Sequence, residues 1–315
     1  MPIKYDSQKG AVLITALFIM TLVAIAATSM SLRLQIDIYR TNLVLNADKL
    51  YLATQASTFW AMSELKKGLA IKLPKKSMKQ RWRLPISFPE QQYSYPNTRI
   101  KAELIDLQAR YNLNNLVDKK AVPGFIQLLK KIVPKMNNAK ALTLALAINQ
   151  WLSRPKEGKV PGNSYYLKQK PPYQMPYLLM SSISELKLIK GMTKEVYNAL
   201  FPYVCVLPEK TAININTAEP PVLYTLGIDL KEQQVNKFVA ERGEKGFTSR
   251  EELNKLLNEM NIDDKNITIN SDYFQVISKA TKNAQSLISY VTLNARLSKK
   301  GKPNIIIISE SLNIP

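Results

Sequence analysis

Residues 11–30 (AVLITALFIMTLVAIAATSM) contain no charged side chain. At about 1.5 Å per residue, a helix of this length matches a hydrocarbon core of roughly 30 Å, so the segment is predicted to cross a bilayer. A cleaved secretory signal is the rival, with Ala24-Ile25-Ala26 as its small-residue site. The apolar run is longer than the usual core of about 7 to 15 residues in such signals. Lys4 and Lys9 precede the run, and positive charge stays on the cytoplasmic side, so the bulk of the chain is expected to be exported. Neither glycine nor proline occurs between Ala11 and Lys67, which lets the helix continue into water. Arg33, Asp37 and Arg40 stand at spacings typical of helical charge pairs. Leu43, Ala47, Leu50, Thr54, Ala61 and Leu65 form an approximate stripe on one face. The expected element is a helix of about 85 Å, apolar all round in its first half and one-sided in its second.

Past Gly68 the chain turns proline-rich and basic as far as Tyr93. Residues 99–105 (RIKAELI) alternate in the manner of a half-buried strand. Residues 106–116 (DLQARYNLNNL) follow as a turn whose asparagines can bond the nearby backbone. From Phe125 to about Met260 the period is helical, as in residues 125–132 and 139–152. Pro123, Pro134, Pro155, Pro161, Pro171, Pro172, Pro176 and Pro202 divide this stretch into short helices. Asn216 or Thr217 is expected to cap one of them, with Glu219 in its first turn and Pro220 where a missing amide donor does little harm. Residues 273–280, 287–293 and 305–309 are rich in β-branched and aromatic side chains and read as strands. Helix, strand, helical block and strands, in that order, predict an α+β fold. A long N-terminal helix packs on a small antiparallel sheet, and a large, mostly helical domain is inserted between strands.

Composition narrows the chemistry. With 315 residues, of which 46% are hydrophobic and 22% charged, the chain can fold as a membrane segment plus about two domains. Histidine is absent, which excludes Ser-His-Asp and Cys-His nucleophiles and imidazole zinc sites. Cys205 is the only cysteine, so no intrachain disulfide forms. With Val204, Val206 and Leu207 beside it, Cys205 reads as a small core residue. Asp263 and Asp264 are adjacent and therefore diverge, so they do not make an acid-base pair. No Walker loop, dinucleotide fingerprint or serine elbow occurs, and neither enzymatic activity nor a cofactor is expected. A net charge of +20 raises nucleic acid or an anionic surface as partners, although lysine-rich stretches such as 66–83 and 119–140 also suit a solvated surface.

The short basic leader ending in Gly10, directly before the apolar helix, resembles the processing site of type IV prepilins. The resemblance implies that prepilin peptidase cuts between Gly10 and Ala11 and that the new amine on Ala11 is methylated. Thr15 stands at the fifth mature position, where that family usually carries glutamate. This departure is characteristic of the K-type minor pseudopilin of bacterial type II secretion systems, the general secretion pathway protein K family. Residues 42–51 (NLVLNADKLY) are similar to that family's N-A-D-x-A-Y stretch, and residues 106–116 resemble its D-x-x-G-R-F-N-L-N-N-L signature, with Ala109 replacing glycine. Residues 182–203 and 214–226 (NINTAEPPVLYTL) also match, so the likeness covers most of the chain outside 68–97.

The resemblance implies a prepilin leader at 1–10, a transmembrane half-helix at 11–32 and a periplasmic half-helix at 33–67. A pilin-like α/β domain from 68–110 and 271–315 and an inserted helical domain at 111–270 complete the chain. It also implies a minor pseudopilin at the pseudopilus tip that initiates and caps the filament for export across the outer membrane. Such a subunit is a single-pass inner-membrane protein with its N-terminus in the cytoplasm. Its partners are the I-type and J-type minor pseudopilins, the major pseudopilin and prepilin peptidase.

Relatives bind calcium in an acidic loop that follows a D-W-x-D stretch and precedes a Pro-Pro-Tyr turn. Pro171-Pro172-Tyr173 keeps the turn, but Gln150, Ser153 and Arg154 replace carboxylates. Lys156, Lys159 and Asn163 fill the following run, leaving Glu157 as its acid. Calcium wants several hard oxygens, so none is expected here. The alternative is a membrane-anchored DNA-binding protein with helix-hairpin-helix turns at Gly191 and Gly227. These turns read Gly191-Met192-Thr193 and Gly227-Ile228-Asp229. Thr193 would obstruct a phosphate and Asp229 would repel it, so nucleic acid is not an expected partner.

Overall fold

Helix α1 runs without a break from Lys9–Ala70, through Gly68 and slightly past the expected end. The computed structural model describes residues 9–70, 86–89, 97–154, 163–227, 229–244, 246–260, 262, 264–298 and 300–314. The β-strands are β1 (Ile86–Ser87), β2 (Arg99–Asp106), β3 (Tyr111–Asn112), β4 (Val204–Cys205), β5 (Ile213–Asn214), β6 (Ile267–Thr268), β7 (Tyr273–Lys282), β8 (Gln285–Leu297) and β9 (Pro303–Leu312). After α1 the helices are α2 (Val122–Ile132), α3 (Asn138–Leu152), α4 (Asn163–Leu167), α5 (Lys194–Leu200), α6 (Pro220–Leu223), α7 (Glu232–Arg242) and α8 (Arg250–Met260). The main sheet has five strands in the order β1-β2-β7-β8-β9, every neighbouring pair antiparallel. β7 and β8 extend beyond the predicted runs because each pairs on both sides, so backbone bonding carries the strands through polar positions.

One face of the sheet packs on the second half of α1. Leu50, Ala53, Trp60, Ala61 and Leu65 of the helix share a core with Leu104, Phe274, Val276, Val291 and Leu293. Small residues let the helix come close: the Ser57 and Ser278 hydroxyls hydrogen-bond at 2.5 Å inside this core. The predicted stripe is corrected at its membrane end. Leu43 is only half-buried and Ala47 is exposed, because the sheet covers α1 from Leu50 onward.

β2 and β7 are neighbours with Asp106 opposite Phe274, so residues 107–272 leave and return at one end of a single strand pair. This insertion has its own core, in which Phe125, Leu128, Leu129, Ile148, Leu186 and Leu200 are fully enclosed. Two short parallel pairs, β3-β4 and β5-β6, sit within it and were not visible in the periodicity. Asn137 caps α3 and Thr193 caps α5 through their side chains. The cap expected at Asn216 or Thr217 is corrected to Glu219. It precedes Pro220 in extended backbone and makes no side-chain capping bond, because both earlier side chains are committed elsewhere.

Candidate functional site

Gly10, Ala11 and Thr15 lie on one uninterrupted helix, and residues 11–42 are exposed throughout. This is the one span among the described residues long and apolar enough to cross a membrane, and none of its most apolar window is buried in the molecule. Its threonine hydroxyls are already satisfied: Thr15 Oγ1 donates to Val12 O at 3.0 Å, Thr21 to Phe18 O at 2.8 Å and Thr28 to Ala24 O at 2.7 Å. A polar group bonded to its own helix loses less on entering hydrocarbon than a free one. Beyond this segment, Asp37 and Arg40 approach to 4.0 Å as an exposed pair worth little on its own.

The second site is the junction where the chain crosses between sheet and insertion. Asp106, the last residue of β2, is buried there. One carboxylate oxygen accepts from Gln108 N at 2.8 Å. The other accepts from Asn214 Nδ2 at 2.9 Å, Ser271 Oγ at 2.7 Å and Thr217 Oγ1 at 2.5 Å. Burial raises the Asp106 pKa above the usual carboxylate value, against the pull of these four bonds. Gln108 seals the crossing from the other side: its Nε2 donates to Ala212 O at 3.0 Å and its Oε1 accepts from Asp272 N at 2.6 Å.

The asparagines after Asp106 do similar work. Asn112 Nδ2 donates to Glu209 O at 2.7 Å, and its Oδ1 accepts from Leu207 N at 3.2 Å. Asn114 Nδ2 donates to Leu207 O at 2.8 Å and Met180 O at 3.0 Å, while its Oδ1 accepts from Met180 N at 2.9 Å. Asn115 exchanges two bonds with the backbone of Thr211, and Asn149 donates to Leu116 O at 2.6 Å. Asn216 holds Phe247 and Ile269 in the same way. The two motif stretches, 106–116 and 214–226, are thus brought together by the fold as one polar clasp.

A small apolar cluster of Leu107, Cys205, Leu207 and Tyr273 fills the clasp's interior. Burial pushes the Cys205 thiol up to about 12, which keeps it protonated and unreactive at neutral pH. Outside the cluster, Arg296 bonds Asp272 at 2.9 Å and Glu209 at 2.5 Å, and its guanidinium lies over the Tyr273 ring. Sequence reasoning missed Gln108, Ser271, Ser57 and Ser278. Isolated small polar residues carry no periodic signal, and only the fold shows what they face.

The other candidate positions lie elsewhere in the insertion. Gly191 has a φ of +87° in the turn before α5, where the Thr193 side chain is spent on accepting from Val196 N. Gly227 is extended, and Asp229 accepts from Gln127 Nε2 at 2.8 Å; Ile228, between them, lies outside the described residues. In the loop that corresponds to the relatives' acidic one, residues 155–162 also lie outside them, and so does Asp263. Tyr173 of the Pro-Pro-Tyr turn donates to Leu188 O at 2.7 Å. Nearby Glu185 is taken by Ser181 N at 2.7 Å and Trp151 Nε1 at 3.1 Å. Among the described residues, no group of three or more acidic or cysteine side chains converges as a metal site would require.

Two family models, both described as type II secretion system (T2SS), protein K, match residues 109–209 and 213–276, together more than half of the chain. Type II secretion system protein K of Pseudomonas aeruginosa is 25% identical over 312 residues, covering 95% of this chain and 92% of that protein. The protein K of Aeromonas hydrophila is 29% identical over 242 residues, 68% of each chain. One chain of the crystal structure of the GspK-GspI-GspJ complex, from the type 2 secretion system of enterotoxigenic Escherichia coli, superposes with a TM-score of 0.69. The alignment covers 88% of this chain and 100% of that one at 21% identity, a likeness of fold.

Proposed function

The chain belongs to the type II secretion system protein K family and is a minor pseudopilin, and we propose that it sits at the tip of the pseudopilus, where it initiates and caps the filament. The observation that carries this reading is the placement of the insertion. Residues 107–272 all emerge at one end of the β2-β7 pair. A body of about one domain's size there cannot repeat along a tightly packed helical stack of subunits. It fits where nothing stacks above it.

Thr15 supports the same position. In the type IV pilin family that the leader resembles, a glutamate at this depth draws an incoming subunit to its neighbour's amine, and an unpaired charge at the bilayer centre costs about 2.5 to 3.5 kcal/mol. A founding subunit has no earlier neighbour, and Thr15 satisfies its own hydroxyl within the helix. In this reading prepilin peptidase cuts between Gly10 and Ala11, and the Ala11 amine is methylated. The apolar half of α1 holds the subunit in the inner membrane, N-terminus in the cytoplasm and bulk in the periplasm. Its partners are the I-type and J-type minor pseudopilins and, below them, the major pseudopilin; the match to a chain of the GspK-GspI-GspJ complex supports the first two. The work of the chain is assembly rather than catalysis, without calcium or nucleic acid.

Counting subunits in sheared pseudopili by quantitative mass spectrometry, with labels on this chain, tests the placement. A few copies per filament with label at one end are expected. A ratio to the major subunit near one to one, or label along the shaft, would overturn it.

A further inference from the structure

Residues 303–312 read PNIIIISESL and form β9, the last strand of the main sheet. One side of β9 pairs with β8; no described residue pairs with the other. Proteins normally blunt such an edge with charge, proline or a twist away, because free N–H and C=O groups invite another strand. Here the middle of the edge is four isoleucines, of which Ile306, Ile307 and Ile308 are 46%, 47% and 39% exposed.

The register shows how that apolar surface is distributed. Ile305 and Ile307 lie opposite Ala295 and Leu293, which belong to the core against α1, whereas Ile306 lies opposite Asn294 on the other face. Ile308 falls at a bulge, where the register slips between Thr292 and Leu293, and has no residue directly opposite, so the edge is apolar on both faces from Ile305 to Ile307. A helix laid on the sheet would cover one face and leave the other wet. An added strand brings side chains to both faces and pairs the free backbone.

Charge gives the partner a direction. Lys300 and Lys302, exposed just before the strand, have no ion pair among the described residues. Glu310 at the far end is already held by Gln55 Nε2 at 2.6 Å. We infer that β9 is the docking edge for another minor pseudopilin, which adds to it an extended apolar, β-branched strand with a carboxylate beside Lys300 and Lys302. This rests on the functional reading above, since that reading supplies the partner.

The test uses the full chain in cells that make the whole secretion system, with the photo-crosslinker p-benzoylphenylalanine at position 306 or 308 and at exposed Lys279 of central β7 as the control. Crosslinks to a different minor pseudopilin from 306 and 308, absent from 279, are expected. The double variant Ile306→Lys, Ile308→Lys should recover at least tenfold less of that partner on co-purification. Ile306→Val, Ile308→Val should recover it normally, and both variants should melt as the unmodified chain does. Equal crosslinking from 279, crosslinks to lipid or to a second copy of this chain, or unchanged recovery by the lysine variant would overturn the edge assignment while leaving the functional reading in place. An unmodified chain that recovers no minor pseudopilin would overturn both.

Discussion

Buried Asp106, at the end of β2, accepts four hydrogen bonds, and their donors come from both ends and the middle of the insertion. Changing it to asparagine turns one acceptor into a donor and leaves at least one buried donor without a partner, a loss of about 1–3 kcal/mol. The pH dependence follows from the raised pKa. The folded state binds the Asp106 proton more readily than the unfolded chain does. That contribution is fully present below the unfolded value and fades as pH rises through the folded one. Urea unfolding in detergent should therefore show the gap between the native chain and Asp106→Asn narrowing as pH rises above about 4. A gap independent of pH would mean that Asp106 does not carry the raised pKa. Its neighbour Cys205 shows the same burial: a thiol pushed up to about 12 stays protonated, packs in the core and donates to Leu107 O at 3.2 Å.

Among the elements, α2 depends on a glycine. A Cβ at Gly124 would run into the backbone carbonyl of Thr225, so α2 and the segment around Thr225 touch backbone to backbone. Gly124→Ala should gain up to about 1 kcal/mol of helix propensity and lose about 1–3 kcal/mol to the forced shift, so the net change is destabilising. A lowered denaturation midpoint checks this, and an unchanged or raised one would mean that α2 can move aside freely. Helix α1 makes a different demand. Gly10 and Ala11, next to its first residue Lys9, are helical and continuous with the apolar span. Intact mass of the membrane-extracted protein should correspond to a methylated chain beginning at Ala11, and Gly10→Val should retain residues 1–10. A mature chain beginning near Thr28 would instead indicate secretory cleavage.

At the scale of the whole molecule, two cores meet at one clasp. The α1-sheet core and the insertion core are separate clusters, bridged by the small group around Cys205 and by the hydrogen bonds of Asp106, Gln108 and the asparagines. Among the described residues, the insertion is held by its own apolar core and by this clasp. A ligand present at a thousand times its Kd would stabilise the fold by about 4 kcal/mol. Millimolar calcium should accordingly leave the melting temperature where it is. A rise of several degrees, lost when residues 153–165 are altered, would show that the loop binds calcium after all.

The long helix, the strands, the helical block and their order were legible from periodicity, because burial on one face imposes a period of 3.6 or 2 on the side chains that face it. The likeness of 106–116 and 214–226 to a family signature was legible too. Their task was not. Asn112, Asn114 and Asn216 satisfy backbone groups far away in the chain, Asp106 and Asn214 bond side chains equally distant, and no local pattern encodes which distant group a side chain will meet. The same holds for where the buried face of α1 begins, for the cap before α6 and for the small parallel pairs. Each depends on what the tertiary fold sets opposite: sheet from Leu50 onward, hydrogen-bonded Thr217 and Asn216, a neighbouring strand end. Local propensity and apolar periodicity act between near neighbours in the chain, whereas the satisfaction of buried polar groups and the covering of a strand edge are settled between segments that only folding brings together.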